Sequence, residues 1–186
     1  MGRWSSVPKL NLMDDLFIIA ASRVTEADLN AAKLGPRFSR LDLASQLALL
    51  AVESLGLDFE AMPRERIGIC LAARNGSLAT DLEYWKGREL VGGPSPTLFA
   101  YTLPSAAIGE IAIRYGLKGP NLCFVGEDNG LLFEAGDLIR SGEADACVCV
   151  SCNGVTAEAA EMMQMPGVAG ACALFLQASS GSVAGL

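Results

Sequence analysis

The stretch Gly119–Cys152, GPNLCFVGEDNGLLFEAGDLIRSGEADACVCVSC, decides the fold. Its apolar run Leu122–Val125 reads as a strand, and the polar residues Gly126 to Gly130 read as a turn. A helical pattern then continues to about Arg140, and Ala146–Ser151 gives a second strand. In a strand, turn, helix, strand unit the turn after the first strand is where chemistry collects, because the strand's carboxyl end meets the positive amino end of the helix. This turn offers Glu127, Asp128 and Asn129: two carboxylates and an amide. Acidic side chains also suit a helix amino terminus, so GEDNG reads equally as an ordinary capped helix start.

Upstream of this unit the chain repeats the same grammar. LFIIAA (Leu16–Ala21) is a first strand, followed by a variable stretch to Gly35. Leu43, Leu47, Leu50 and Leu55 form a helical stripe, with a start at Ser39–Asp42 and a stop at Gly56. IGICLA (Ile67–Ala72) reads as a buried strand, then a turn at Arg74-Asn75-Gly76 and a helical segment through Tyr84 and Trp85. Pro94 and Pro96 argue against a regular element in GGPSPTLF, and Pro104 suits the first position of a helix over Ser105–Tyr115. Phe99 and Tyr101 are candidates for lining a pocket, although buried aromatics more commonly belong to a core. Beyond Cys152, Asn153–Pro166 is helical or irregular, with Met162, Met163 and Met165 reading as ordinary packing. Gly170–Gln177 is a last strand, and residues 179–186 form a flexible tail after a domain spanning 1–178.

Composition bounds the function. The 186 residues are enough for one domain with a substantial core, and about half of them are apolar. A net charge of −7 and a pI near 4.6 argue against nucleic acid as a partner. They also argue against an extensive docking face for an acidic carrier, leaving at most a small patch at Arg114, Lys118 and Arg140. The longest apolar runs fall short of the roughly 20 residues of a membrane span. MGRWSSVPKLNLMDD lacks the zones of a signal peptide, so a cytoplasmic location without membrane association is the expectation. The six cysteines read as buried thiols: Cys147 and Cys149 alternate with Val148 and Val150 along a strand, while Cys70, Cys123 and Cys172 sit in other apolar runs. With Cys152 as the third member of that cluster, no histidine in the sequence and no zinc-ribbon spacing, no metal and no cofactor are expected.

SPTLFAYTLPSAAIGEIAIRYGLKGPN, GPNL before the strand and LIRSGEADA after the helix resemble the amino-terminal half of a β-ketoacyl synthase, of the thiolase-like superfamily. The resemblance covers about Pro36 to Gln177. It implies an α/β fold, a mixed five-stranded sheet with helices on both faces. Active members carry a cysteine nucleophile in a TACAS-like sequence at this turn, its thiolate supported by the helix amino terminus. Here Asp128 stands in that register, with Glu127 and Asn129 as alternates, since the helix looks about one turn short. Arg74-Asn75-Gly76 similarly replaces the small residues of the family's V-G-V-x-x-G-T run. Chain-length factors, ketosynthase homologues that lack the cysteine, are the nearest in kind.

The family's second half supplies two histidines for decarboxylation and condensation, and this sequence contains none. Three readings follow from the resemblance. The first is a non-catalytic, chain-length-factor-like subunit paired with an active ketosynthase in fatty-acid or polyketide synthesis. The partner is then a ketosynthase, with acyl carrier protein as a further contact. Leu122 and Phe124, on the strand that pairs across the family's two-fold axis, become dimer-interface candidates. The second is a decarboxylase or other acyl-thioester enzyme using Asp128 and Glu127, since adjacent carboxylates push one pKa up. The third is a homodimeric thiolase-like binding or scaffold module.

Overall fold

The computed structural model describes residues 10–13, 15–32, 34–127, 130–164 and 167–178. Its strands are β1 (Leu10–Met13), β2 (Leu16–Thr25), β3 (Ile67–Ala73), β4 (Asn121–Val125), β5 (Ala146–Asn153) and β6 (Gly170–Ala178). They form one mixed sheet in the order β1-β2-β6-β5-β3-β4. The strands β5, β3 and β4 run parallel, and β1, β2 and β6 pair antiparallel. The five expected strands are all present. The sixth, β1, is only four residues long, too short for periodicity to reveal, and hairpins onto β2 across positions 14 and 15.

The helices are α1 (Glu26–Leu29), α2 (Leu43–Glu53), α3 (Leu78–Gly87), α4 (Pro96–Phe99), α5 (Ala106–Tyr115), α6 (Leu131–Arg140) and α7 (Ala157–Met162). α2 and α5 cover one face of the sheet, packing on Ile69, Leu71, Val148, Val150, Ala173 and Phe175. α6 covers the other, over Cys70, Ala72, Cys147, Cys149, Leu16, Ile18 and Leu176. Cys147 and Cys149 therefore share one face while Val148 and Val150 share the opposite one, as strand alternation requires. Every residue of β3 is buried because both faces are covered and both edges are paired, which is why IGICLAA carries no polar side chain.

Local chemistry sets the element ends. The Asp42 side chain accepts a hydrogen bond from the Ser45 amide (3.2 Å) at the start of α2. The Thr80 hydroxyl donates to the other Asp42 oxygen (3.2 Å), tying α2 to α3. The prolines of GGPSPTLF do not exclude a helix: Pro96 occupies the first turn of α4, where its missing N–H costs nothing, and the Ser95 hydroxyl accepts from the Leu98 amide (3.3 Å). Pro104 lies one residue outside α5, whose flanking residue is Ser105.

The thiol expectation needs correction at two positions. Cys70, Cys147, Cys149 and Cys152 are buried, but Cys123 and Cys172 are exposed. Cys123 lies on β4, the edge strand, on the side where no helix covers it, and Cys172 lies near the start of β6 beyond the reach of α6. Phe99, expected in the core, is 59% exposed with its ring against Tyr84 (centroids 5.4 Å apart). Tyr101 is half-buried, packs on the edge of the core, and its hydroxyl lies 3.2 Å from a Glu110 oxygen that Arg37 also holds. The segment 179–186, Met165 and Pro166 lie outside the described residues.

The tightest backbone approach in the molecule joins the GPN turn to β3. A Cβ on Gly119 would stand 2.5 Å from the carbonyl carbon and oxygen of Ile67, closer than real side chains come to backbone. Gly119→Ala is therefore expected to destabilise the protein by about 1–3 kcal/mol through enforced overpacking, read as a lower urea midpoint. Asp42→Ala, which removes the α2 cap, should cost about 1 kcal/mol in the same measurement, while Asp42→Asn should retain most of it.

Candidate functional site

The parallel strands β3, β4 and β5 end at one rim of the sheet, and each hands the chain to a polar residue there. After β3 come Arg74 and Asn75, after β4 come Gly126 and Glu127, and β5 itself ends in Asn153. The Arg74 amide donates to the Cys152 carbonyl (3.0 Å) and the Gly126 amide to the Ala73 carbonyl (3.1 Å), so the three strand ends are laced together. Gly126 turns the chain with φ of +119°, a conformation open to glycine and strained for other residues.

Side chains continue the lacing. Arg74 Nη2 lies 2.8 Å from Glu127 Oε2, with both side chains more than half exposed, so the pair contributes about 0–1 kcal/mol. Asn75 Nδ2 donates to Asn153 Oδ1 (2.7 Å), whose own amide donates to the Val168 carbonyl (2.9 Å). Ser77 Oγ sits within hydrogen-bonding distance of Asp81 Oδ2 (2.9 Å) and the Thr102 carbonyl (2.7 Å). α6 then begins at Leu131 with Gly130 at its cap, and no described side chain caps it. The capped-start reading thus finds no donor or acceptor among the described residues. Asp128 and Asn129 lie outside the described residues, so of the three turn candidates only Glu127 has a described position.

Thiol chemistry is absent from this rim among the described residues. Cys152 is the cysteine nearest the strand ends, and burial pushes its thiol up to about 12. The hydrogen bond with Cys70, reinforced by burial, holds the Cys147 thiol far above the ordinary range, and burial does the same for Cys149. Such thiols stay protonated at neutral pH and are poor nucleophiles.

The other candidate residues do not converge on this rim. Tyr101 borders a shallow cleft of about 330 Å³ with Arg40, Asp42, Glu83 and Leu98, and Phe99 lies outside it. Leu122 and Phe124 are half-buried, turned toward α6, and pack with Cys70 and Ala72. Their strand is the open edge of the sheet. Because the Ile69 amide donates to the Pro120 carbonyl and Gly126 donates to Ala73, alternation directs the backbone of Leu122 and Phe124 to β3. The amides and carbonyls of Asn121, Cys123 and Val125 point away from the sheet, and Val125 is 66% exposed.

Sequence reasoning missed the partnership of Arg74 with Glu127 and of Asn75 with Asn153. A usable signal existed: each polar residue directly follows an apolar run, and the carboxyl ends of parallel strands share one rim. It also missed the largest cleft of the described residues, about 390 Å³, bordered by Arg23, Arg74, Ser151, Asn153 and Cys172.

Comparison with known proteins identifies this architecture. The family described as "Beta-ketoacyl synthase, N-terminal domain" matches residues 19–185. The 3-oxoacyl-[acyl-carrier-protein] synthase 2 of Staphylococcus aureus is 29% identical over 121 residues, covering 59% of this chain and 29% of that protein. The chain thus spans less than a third of the length of this curated relative. Among solved structures, the ishigamide ketosynthase/chain length factor superposes with a TM-score of 0.73 at 23% identity, covering 91% of this chain and 63% of that one. A ketosynthase in complex with its chain length factor from Xenorhabdus doucetiae gives 0.67 at 21% identity, covering 91% and 81%. These structural likenesses establish the thiolase-like ketosynthase fold, and the family match over most of the chain establishes its kinship: the protein belongs to the β-ketoacyl synthase family, matching its amino-terminal domain.

Proposed function

We propose that this protein is a non-catalytic, chain-length-factor-like subunit that pairs with an active β-ketoacyl-ACP synthase in fatty-acid or polyketide synthesis. The observation that carries the proposal is the rim after β4: where active relatives carry a cysteine, the sequence reads Glu127-Asp128-Asn129, and Glu127 is engaged by Arg74. A carboxylate or amide cannot form the acyl-thioester on which condensation depends. The buried thiols nearby do not substitute for it. That two of the superposable structures are described as ketosynthases with chain length factors supports a pairing role.

The pairing surface in this proposal is β4. Its outward amides and carbonyls at Asn121, Cys123 and Val125 can continue the sheet into a ketosynthase partner, which would also remove the liability of an open edge. Leu122 and Phe124 would line one side of that seam while keeping their contacts under α6. Acyl carrier protein would then meet the assembled pair.

Cys123→Pro separates pairing from folding, because it deletes an outward N–H that β3 does not use. Tagged and expressed in its native cells, this variant should lose the ketosynthase that the wild type retains, while its urea midpoint stays within about 1 kcal/mol of the wild type. Retention of the synthase by Cys123→Pro would remove β4 from the interface. An acyl adduct on the purified chain, or malonyl-thioester decarboxylation abolished by Glu127→Ala or Asp128→Ala, would replace the proposal with an acyl-thioester enzyme.

A further inference from the structure

The cleft of about 390 Å³ lies apart from β4, where β2, β6 and β5 meet above the end of α6. The register places Arg23 opposite Cys172 and Cys172 opposite Ser151. All three rise from the face that carries α6, since Ala21, Leu174 and Cys149 on the same strands belong to that face. Neighbouring strands are about 4.8 Å apart, so a guanidinium, a thiol and a hydroxyl stand side by side. Arg74 enters from the rim, and Val24, Ala169 and Ala171 supply an apolar wall.

The charge of this lining is opposite to that of the chain. Acidic residues outnumber basic ones 21 to 14, yet the cleft is bordered by two arginines and by no Asp or Glu. Arg37, Arg66, Arg114 and Arg140 are each paired with a carboxylate. Arg23 has no carboxylate partner among the described residues. The Arg74–Glu127 pair is exposed, so an incoming anion can exchange with Glu127 at little cost. Guanidinium groups beside a hydroxyl suit a planar or tetrahedral oxyanion through charge-assisted hydrogen bonds.

We propose that the cleft between Arg23 and Arg74 binds a small amphiphilic anion, a carboxylate or phosphate monoester on a short apolar body, with the head on the two guanidinium groups and the body against Val24, Ala169 and Ala171. The site stands independently of the pairing role, because none of its residues lies on β4.

Cys172 reports on it from within, being exposed and in register with Arg23. In a Cys123→Ser background, alkylation rates at Cys172 are measured by peptide mass spectrometry with iodoacetate and with neutral iodoacetamide. The ratio of the two rates cancels the thiol's own reactivity. It should fall about three-fold or more in Arg23→Gln and be preserved in Arg23→Lys, which keeps the charge. Hexanoate or hexyl phosphate should slow alkylation in the wild type and not in Arg23→Gln, and whichever protects at lower concentration identifies the head group. Protection by inorganic phosphate alone would overturn the amphiphilic specificity. An unchanged ratio in Arg23→Gln, with protection by none of the three anions, would overturn the site.

Discussion

Strand β3 is the constraint on which the rest of the molecule depends. It is buried on both faces and hydrogen-bonded along both edges, so its neighbours must supply apolar cover and in-register amides together. The close approach of Gly119 to Ile67 is where this condition is most severe. With the Gly119 amide on the Ile67 carbonyl and the Ile69 amide on the Pro120 carbonyl, the GPN turn delivers β4 in parallel register beside β3. A parallel register sends the carboxyl ends of β3, β4 and β5 to the same rim. The meeting of Arg74, Glu127, Asn75 and Asn153 is therefore a consequence of backbone packing some distance away.

The same arrangement separates two kinds of surface. At the rim, polar groups hold one another in short networks, and the thiols below are buried and protonated. At the β4 edge, backbone groups remain without a neighbour in the sheet, and the side chains facing α6 are committed to the protein's own interior. A family member organised this way has its chemistry-bearing turn occupied by acidic and amide residues and its assembly edge open. That combination motivates the assignment of a partnering role in place of a catalytic one.

Much of this was legible in the sequence because the signals were local. The β4–α6–β5 unit, α2 and β3 are apolar runs bounded by glycine or a polar cap, and their boundaries follow directly. Two elements escaped for definite reasons: β1 has four residues, and α4 begins with a proline that looks like a breaker until it occupies the first turn. The rim was legible as two polar turns, but the ion pair across it joins residues 53 positions apart and depends on the β3–β4 register. The position of Arg23 was hidden more deeply. Simple alternation from Leu16 and Ile18 would put Arg23 on the α2 face, and the irregularity between Ile18 and Ala20 reverses the remainder of β2. Only that reversal brings Arg23 beside Cys172 and Ser151.

The most direct test of the partnering role is the mass and composition of the native complex, taken from the protein's own cells through a tag and measured intact. The account predicts this chain joined at equal stoichiometry to a ketosynthase that carries the cysteine and both histidines. A homodimer of this chain, with no synthase attached, would contradict it.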